Sequence, residues 1–182
     1  MSKIFSLIIL ICLSPILLIV AITIIVDDGF PILFKQKRVG QNNAHFWIYK
    51  FRTMKKDAPD IATHLVNDSY SLYTAIGPFL RKFSIDELPQ LINILKGDMT
   101  FIGPRPALYN QYDLIELRSQ VGVQTLMPGV TGWAQVNGRD ELSIPDKVKM
   151  DEYYLKNQSL WLDIKILFKT VIKVFKMEGV SH

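Results

Sequence analysis

Two adjacent carboxylates, Asp86 and Glu87, stand between Ser84 and Pro89 in the stretch RKFSIDELPQLINILKGDMTFIGPRP, Arg81 to Pro106. An amphipathic segment follows them, and then Arg105, fixed between Pro104 and Pro106. Ser84 with Glu87 matches the S-x-x-E capping box, and acids in a first turn favour the positive end of a helix dipole, so the pair marks the start of a helix. The same position is where free backbone N–H groups await an anion. Prolines on both sides hold Arg105 in extended backbone and present its planar guanidinium to a phosphate. A second turn, Asn137-Gly138, delivers Arg139. Paired carboxylates, turn-borne arginines and a basic balance suit phosphoryl transfer, with a divalent ion spanning carboxylate and phosphate.

Composition narrows the field. The chain has 182 residues, enough for one modest domain and an appendage. Hydrophobic residues make up 49%, charged residues only 21%, and the mean hydropathy is +0.18, which is more apolar than an ordinary soluble domain. The net charge of +4 and a pI near 9.1 suit anionic partners. A single cysteine, Cys12, excludes a disulfide framework or a cysteine metal site, and His45, His64 and His182 lack zinc-binding spacing. Phosphate-binding loops of the G-x-x-x-x-G-K-[ST] and G-x-G-x-x-G types are absent, as are D-x-D and the G-x-S-x-G elbow.

The elements that must position these residues read as an α+β chain. PILFKQKRVGQNNAHFWIYKFRTM alternates about a Gly-Gln-Asn-Asn turn and predicts a β-hairpin, with Trp47, Tyr49 and Phe51 on an aromatic core face and Lys50 and Arg52 on a wet basic face. That alternation explains the mixed basic and aromatic residues without nucleic acid. KKDAPDIATHLVNDSYSLY reads as a polar helix, and Gly77-Pro78 opens a short one ending near Phe83. Leu88, Leu91, Ile92 and Leu95 then predict a buried stripe on a helix stopped by Gly97. A short strand leads into Gly103-Pro104-Arg105-Pro106, and another is predicted from Val130 to Val136. The last helix, Leu160 to Met177, carries Leu160, Ile164, Phe168, Val171 and Phe175 on one stripe and Lys165, Lys169, Lys173 and Lys176 on another, so it either lies in a head-group layer or covers the core.

From Ile4 to Val26 there is no charge. Twenty-three residues make a helix of about 35 Å against a hydrocarbon core of about 30 Å. Ser14-Pro15 divides this run, since proline removes a hydrogen-bond donor and kinks a helix, and Ser14 is placed to bond back to a strained carbonyl. Each half reaches only mid-bilayer, so a re-entrant hairpin and a kinked span are both admissible. Positive charge flanks both ends, Lys3 before and Lys35, Lys37 and Arg38 after, which favours both ends inside.

The order of an apolar segment with Ser-Pro, KFRTM, FSIDELPQLINILKGDMTFIGPRP, PGVTGWAQVNGR and SLWLDIKIL resembles the bacterial sugar transferase family, the monotopic phosphoglycosyltransferases, over essentially the whole chain. It is similar to their minimal form, which has no added spanning helices or nucleotide-binding-like domain. The resemblance implies residues 1–27 as a re-entrant membrane helix hinged at Ser14 and Pro15, and residues 28–182 as a catalytic domain on the cytoplasmic face of the bacterial inner membrane. It implies transfer of a sugar 1-phosphate from a UDP-sugar to polyprenyl phosphate with release of UMP, through an aspartyl phosphosugar on Asp86. By the same resemblance Asp86 and Glu87 are the catalytic pair and hold Mg²⁺ or Mn²⁺, and Arg105, Arg139, Arg81 and Gln135 contact phosphate or nucleotide; since a phosphate with a second pKa of about 6 is already largely ionised, Glu87 is expected first to position metal or substrate and second to transfer a proton. The implied partners are the two substrates and membrane lipids, with no nucleic acid and with room for a homodimer.

Overall fold

The computed structural model describes residues 2–56, 72–138 and 141–176. Arg139, His64, His182 and most of the predicted polar helix lie outside the described residues. The chain is α+β. Helix α1 (Ser2–Asp28) precedes the hairpin β1 (Leu33–Val39) and β2 (His45–Phe51), and α2 (Gly77–Lys82) and α3 (Gln90–Lys96) follow. Strands β3 (Thr100–Ile102) and β4 (Ala107–Leu108), helix α4 (Tyr112–Gln120), strand β5 (Gly129–Thr131) and helices α5 (Trp133–Val136), α6 (Ile144–Lys156) and α7 (Leu160–Lys176) complete it.

Strands β2, β1 and β4 form one antiparallel sheet in that order, with Lys35 opposite Tyr49, Val39 opposite His45, and Arg38 opposite Leu108. A parallel pair, β3 with β5, sets Thr100 beside Gly129 and Ile102 beside Thr131. The expected strand from Val130 to Val136 stops at Thr131; Gly132 breaks it and Trp133–Val136 turns into helix, with Gln135 Nε2 donating back to Val130 O at 3.0 Å. A Cβ on Gly129 or Gly132 would strike the backbone of Gly103, so the two strand ends cross where only glycine fits.

The hairpin buries Phe51 as expected but departs from the expected faces at Trp47, Lys50 and Arg52. Trp47 is 55% exposed, whereas Ile48 is in the core and Lys50 and Arg52 point inward. Burying those cations is tolerable because each meets a carboxylate: Lys50 Nζ lies 2.7 Å from Glu87 and Arg52 Nη1 2.9 Å from Asp28. The open edge of β2 is closed by a side chain. Buried Asn93 on α3 accepts from Tyr49 N at 3.1 Å and donates to Trp47 O at 2.7 Å, doing what a neighbouring strand would do.

The helix expected to begin at Ser84 is divided. Ser84 takes a left-handed φ of 55° and makes no side-chain cap, so the capping box does not form. Ile85–Glu87 is a 3₁₀ turn, and α3 starts only after Pro89, which lacks the N–H to continue a ladder. The buried face is therefore Gln90, Leu91, Asn93 and Ile94 rather than the predicted stripe, while Gly97 ends α3 at φ 92° as expected.

Helix α1 passes through Ser14-Pro15 as one element, with Ser14 Oγ donating to Ile11 O at 2.7 Å. The domain touches it along its whole length. Lys3 Nζ stands at the C-terminal end of α3 beside Gly97, where a cation complements the helix dipole, and Ser6 Oγ donates to Leu91 O at 2.9 Å. Ile9 and Leu10 pack on Ile48, Leu91 and Ile94; Val20 and Ile24 are buried with Phe51 and Leu80. At its end Asp27 accepts from Ala75 N, and Asp28 from Lys56 N. The opposite face leaves Ile4, Ile8, Ile11, Leu18, Ile22 and Val26 about half or more exposed.

Helix α7 behaves similarly. Leu162 and Ile166 are buried, and the lysine face turns onto the protein: Lys165 and Lys169 lie over the Trp133 ring, and Lys169 donates to Asn137 Oδ1 at 2.7 Å. Leu160, Trp161, Ile164, Phe168 and Val171 face outward. Exposed apolar faces on α1 and α7 are consistent with membrane association.

Replacing Asn93 by alanine strands the Tyr49 N–H and the Trp47 carbonyl, and should destabilise the fold by roughly 2–4 kcal/mol. Thermal unfolding in detergent micelles measures this; an unchanged melting temperature would show that the β2 edge is closed by something else.

Candidate active site

The 3₁₀ turn Ile85–Glu87 brings the carboxylates to the inner side of β2. Glu87 Oε1 accepts from Lys50 Nζ at 2.7 Å and from Arg105 Nη2 at 3.2 Å, joining the turn, the hairpin and the Pro-Arg-Pro loop through one oxygen. Asp86 is 8% exposed and makes no hydrogen bond among the described residues. Burial raises its carboxyl above the usual aspartate range; Lys50, Arg81 and Arg105 pull it back down, and Glu87 pushes it further up. Asp86 is thus a desolvated carboxyl whose ionisation is opposed by burial and by Glu87 and favoured by Lys50, Arg81 and Arg105. Burial also lowers the Lys50 ammonium, against the raising effect of Glu87.

The loop that carries Arg105 is stapled from several directions. Gly103 N donates to Thr131 O at 2.9 Å and Gly129 N to Pro104 O at 3.0 Å. Arg38 Nη1 donates to Pro106 O at 3.0 Å, and Arg118 Nη1 to Arg105 O at 2.9 Å. Arg118 is fixed by Asp151, 1% exposed, at 2.6 Å. The guanidinium of Arg105 therefore extends from a backbone with little freedom, which reduces the entropy lost when it grips a ligand.

Arg81 also acts on Asp86, its Nε bonded to Thr53 Oγ1 and its Nη1 to Tyr73 OH, both at 2.9 Å, with its guanidinium 4.8 Å from the Tyr73 ring centre. Of the expected set, Asp86, Glu87, Arg81 and Arg105 come together. Gln135 lines a cavity that Glu87 also lines, and its Oε1 is buried without a partner among the described residues. Ser14 and Pro15 lie on α1.

Two cations escaped the sequence reading. Alternation puts Lys50 on a wet face, and in the sequence Arg38 is only one of the charges that flank the apolar segment. Burial and Arg105 lower Arg38 to about 10, so it remains charged at neutral pH, and its Nε is buried without a partner among the described residues. The position of Lys50 next to an alternating strand's core residues, inside KFRTM, was the available signal. Four cations, Arg38, Lys50, Arg81 and Arg105, thus surround two carboxylates. The surplus suits a multiply charged anion.

Among the described residues no three carboxylates, histidines or cysteines gather into a metal cage. The donor set fits Mg²⁺ or Mn²⁺ all the same, since Mg²⁺ binds through one or two carboxylates and completes its shell with waters and substrate phosphates. Asp86 has both oxygens free of hydrogen bonds for this, while Glu87 is already engaged by two cations.

A rigid, cation-rich carboxylate site beside apolar outer helices suits chemistry on phosphate groups close to an apolar surface. The chain belongs to the bacterial sugar transferase family, whose sequence profile matches residues 1–177. It is 43% identical over 171 residues to the uncharacterized sugar transferase EpsL of Bacillus subtilis, covering 94% of this chain and 83% of that one. It is 40% identical over 179 residues to the UDP-glucose:undecaprenyl-phosphate glucose-1-phosphate transferase of Escherichia coli, and 41% over 164 residues to the UDP-N-acetylgalactosamine-undecaprenyl-phosphate N-acetylgalactosaminephosphotransferase of Aeromonas hydrophila. It covers 92% and 87% of itself in these matches, but only 38% of either relative.

Replacing Lys50 by methionine removes a charge that lowers Asp86, so the carboxyl should titrate at higher pH and its ionised form be lost earlier as pH falls. Carbon-13 NMR of aspartate-labelled protein in micelles reads that midpoint; an unchanged or lower one would mean that Lys50 does not act on Asp86.

Proposed function

We propose that this protein transfers a sugar 1-phosphate from a UDP-sugar to polyprenyl phosphate, releasing UMP, and so begins assembly of a membrane-linked glycan. The observation that carries this reading is Asp86: buried, without a hydrogen-bond partner among the described residues, and held among Lys50, Arg81 and Arg105. The activities of the Escherichia coli and Aeromonas hydrophila relatives support the substrate classes.

In the first displacement an Asp86 oxygen attacks the sugar-linked phosphorus of the donor. A carboxylate–phosphorus bond forms, the bond to the bridging oxygen breaks, and its electron pair leaves on UMP. Arg105 and Arg81 bind the diphosphate oxygens, and Arg38 adds positive charge behind Arg105. In the second displacement an oxygen of the polyprenyl phosphate attacks the same phosphorus and Asp86 departs as a carboxylate. Glu87, locked to Lys50 and Arg105, holds those cations in place rather than moving a proton. Mg²⁺ or Mn²⁺ at Asp86, with Glu87 nearby, would offset repulsion between carboxylate and diphosphate. Arg139 belongs to the proposed substrate-binding set on the Asn-Gly-Arg motif alone.

The membrane disposition we propose is monotopic, with both ends of α1 on the cytoplasmic face. A crossing helix parts its ends by a hydrocarbon core of about 30 Å, yet Lys3 and Ser6 at one end and Asp27 and Asp28 at the other rest on a single domain. With a cysteine introduced at Ser2 in a Cys12→Ala background, an impermeant maleimide should label inverted vesicles and spare intact cells; labelling from the periplasm would establish a span.

The central experiment follows UMP release from a panel of UDP-sugars in membranes supplied with undecaprenyl phosphate. Wild-type protein should release UMP and trap a phosphosugar when the acceptor is withheld, and chelation should stop it until Mg²⁺ is returned. Asp86→Asn should abolish both release and trapping while the melting temperature stays near the wild-type value; substantial turnover by that variant would remove Asp86 as the nucleophile.

A further inference from the structure

A cavity of about 310 Å³ lies beside the active site, bounded by α1, α3 and α7, and by β5 with the turn after it. Its volume falls in the range of small-molecule sites, about 300–1,000 Å³. Ile9 comes from α1, Leu88 and Leu91 from the dyad's own turn and α3, Phe101 and Val130 from the parallel strand pair, and Val174 from α7. Glu87 lines it too, so the apolar space reaches the carboxylate that is paired with Lys50 and Arg105. Lys82 and Lys173 contribute two ammonium groups.

Resting on the functional reading above, we infer that this cavity receives the acceptor: the isoprene units nearest the phosphate of a polyprenyl monophosphate lie among Ile9, Leu91, Phe101 and Val174, with Lys82 and Lys173 at the phosphate. Three observations carry the assignment. Most of the surface that the cavity exposes is apolar, supplied by Ile9, Leu88, Leu91, Phe101, Val130, Val136 and Val174 as an isoprenoid chain requires, while Ser84, Thr131, Gln135 and Thr170 add a polar share. Two of the walls, α1 and α7, are the helices whose outer faces are exposed and apolar, so a lipid tail can run from the cavity to the hydrophobic surface without passing through water. The charged part of the lining is complementary to a phosphate ester: Lys82 and Lys173 accompany a site already in cationic surplus. The donor, by contrast, belongs on the Arg105 and Arg81 side of the dyad, where the surface is charged and polar. Separate entrances let the two displacements share one aspartate in turn.

A polyprenyl monophosphate carrying a diazirine in the isoprene unit nearest the phosphate tests this in wild-type protein reconstituted in liposomes. Photolabel should map to peptides containing Leu88–Leu91 and Val174, and unlabelled undecaprenyl phosphate, but not phosphatidylglycerol, should displace it. Label confined to the outer faces of α1 and α7, or displaced equally by phosphatidylglycerol, would overturn the assignment. Val174→Trp, which fills the space, should raise the KM for undecaprenyl phosphate about tenfold or more while the KM for the UDP-sugar moves little; an unchanged acceptor KM would count against the site. These outcomes separate from the functional reading, because wild-type protein that labels in the cavity yet releases no UMP from any UDP-sugar would refute the reaction and leave the lipid site standing.

Discussion

The contact on which the rest depends is the pairing of Glu87 with Lys50 and Arg105. Three segments distant in sequence, the hairpin, the carboxylate turn and the Pro-Arg-Pro loop, meet at one oxygen. Removing charges from water costs several kcal/mol per ion, and only close geometry with further hydrogen bonds offsets it. The surrounding structure supplies that geometry: Asn93 fixes α3 on the edge of β2, and backbone bonds together with Arg38 and Arg118 fix the loop. Asp86 inherits the result. Among the described residues it makes no hydrogen bond, because Lys50 and Arg105 bond to Glu87 and Arg81 to Thr53 and Tyr73.

Arginines recur here in two distinct jobs. Arg105 and Arg81 present charge to the site, whereas Arg38 and Arg118 spend donors on the carbonyls of Pro106 and Arg105. A guanidinium suits both, since it offers several donors in one plane and stays charged when buried. The ion pair of Arg118 with Asp151 ties α4 to α6, so that the rigidity of the loop is drawn from helices that line no part of the site.

Much of the site was legible in the sequence because its chemistry sits in short, stiff words. Asp86 beside Glu87, Arg105 between prolines and the Asn-Gly turn are local features, and the family resemblance joined them. The errors were errors of facing. Strict alternation in β2 suggested that aromatic residues go inward and cations outward, but Glu87 and Asp28, invisible to a local pattern, draw Lys50 and Arg52 into the interior. Ser84 looked like a cap, yet the left-handed turn there and Pro89 after it break the segment into a 3₁₀ turn and a helix. Helix α7 was balanced between two readings, and the outcome followed from Trp133, whose ring attracts Lys165 and Lys169 and leaves the greasy stripe outside.

Helix α1 is apolar on all sides but not alike on all sides. Val20 and Ile24 complete one core with Phe51 and Leu80, and Ile9 and Leu10 cover another formed by Ile48, Leu91 and Ile94. The helix is synthesised before Leu80, Leu91 and Ile94 exist as chain, and it waits for them. A chain without α1 would lack one side of both clusters and stand open along two hydrophobic seams rather than fold as a detached soluble domain.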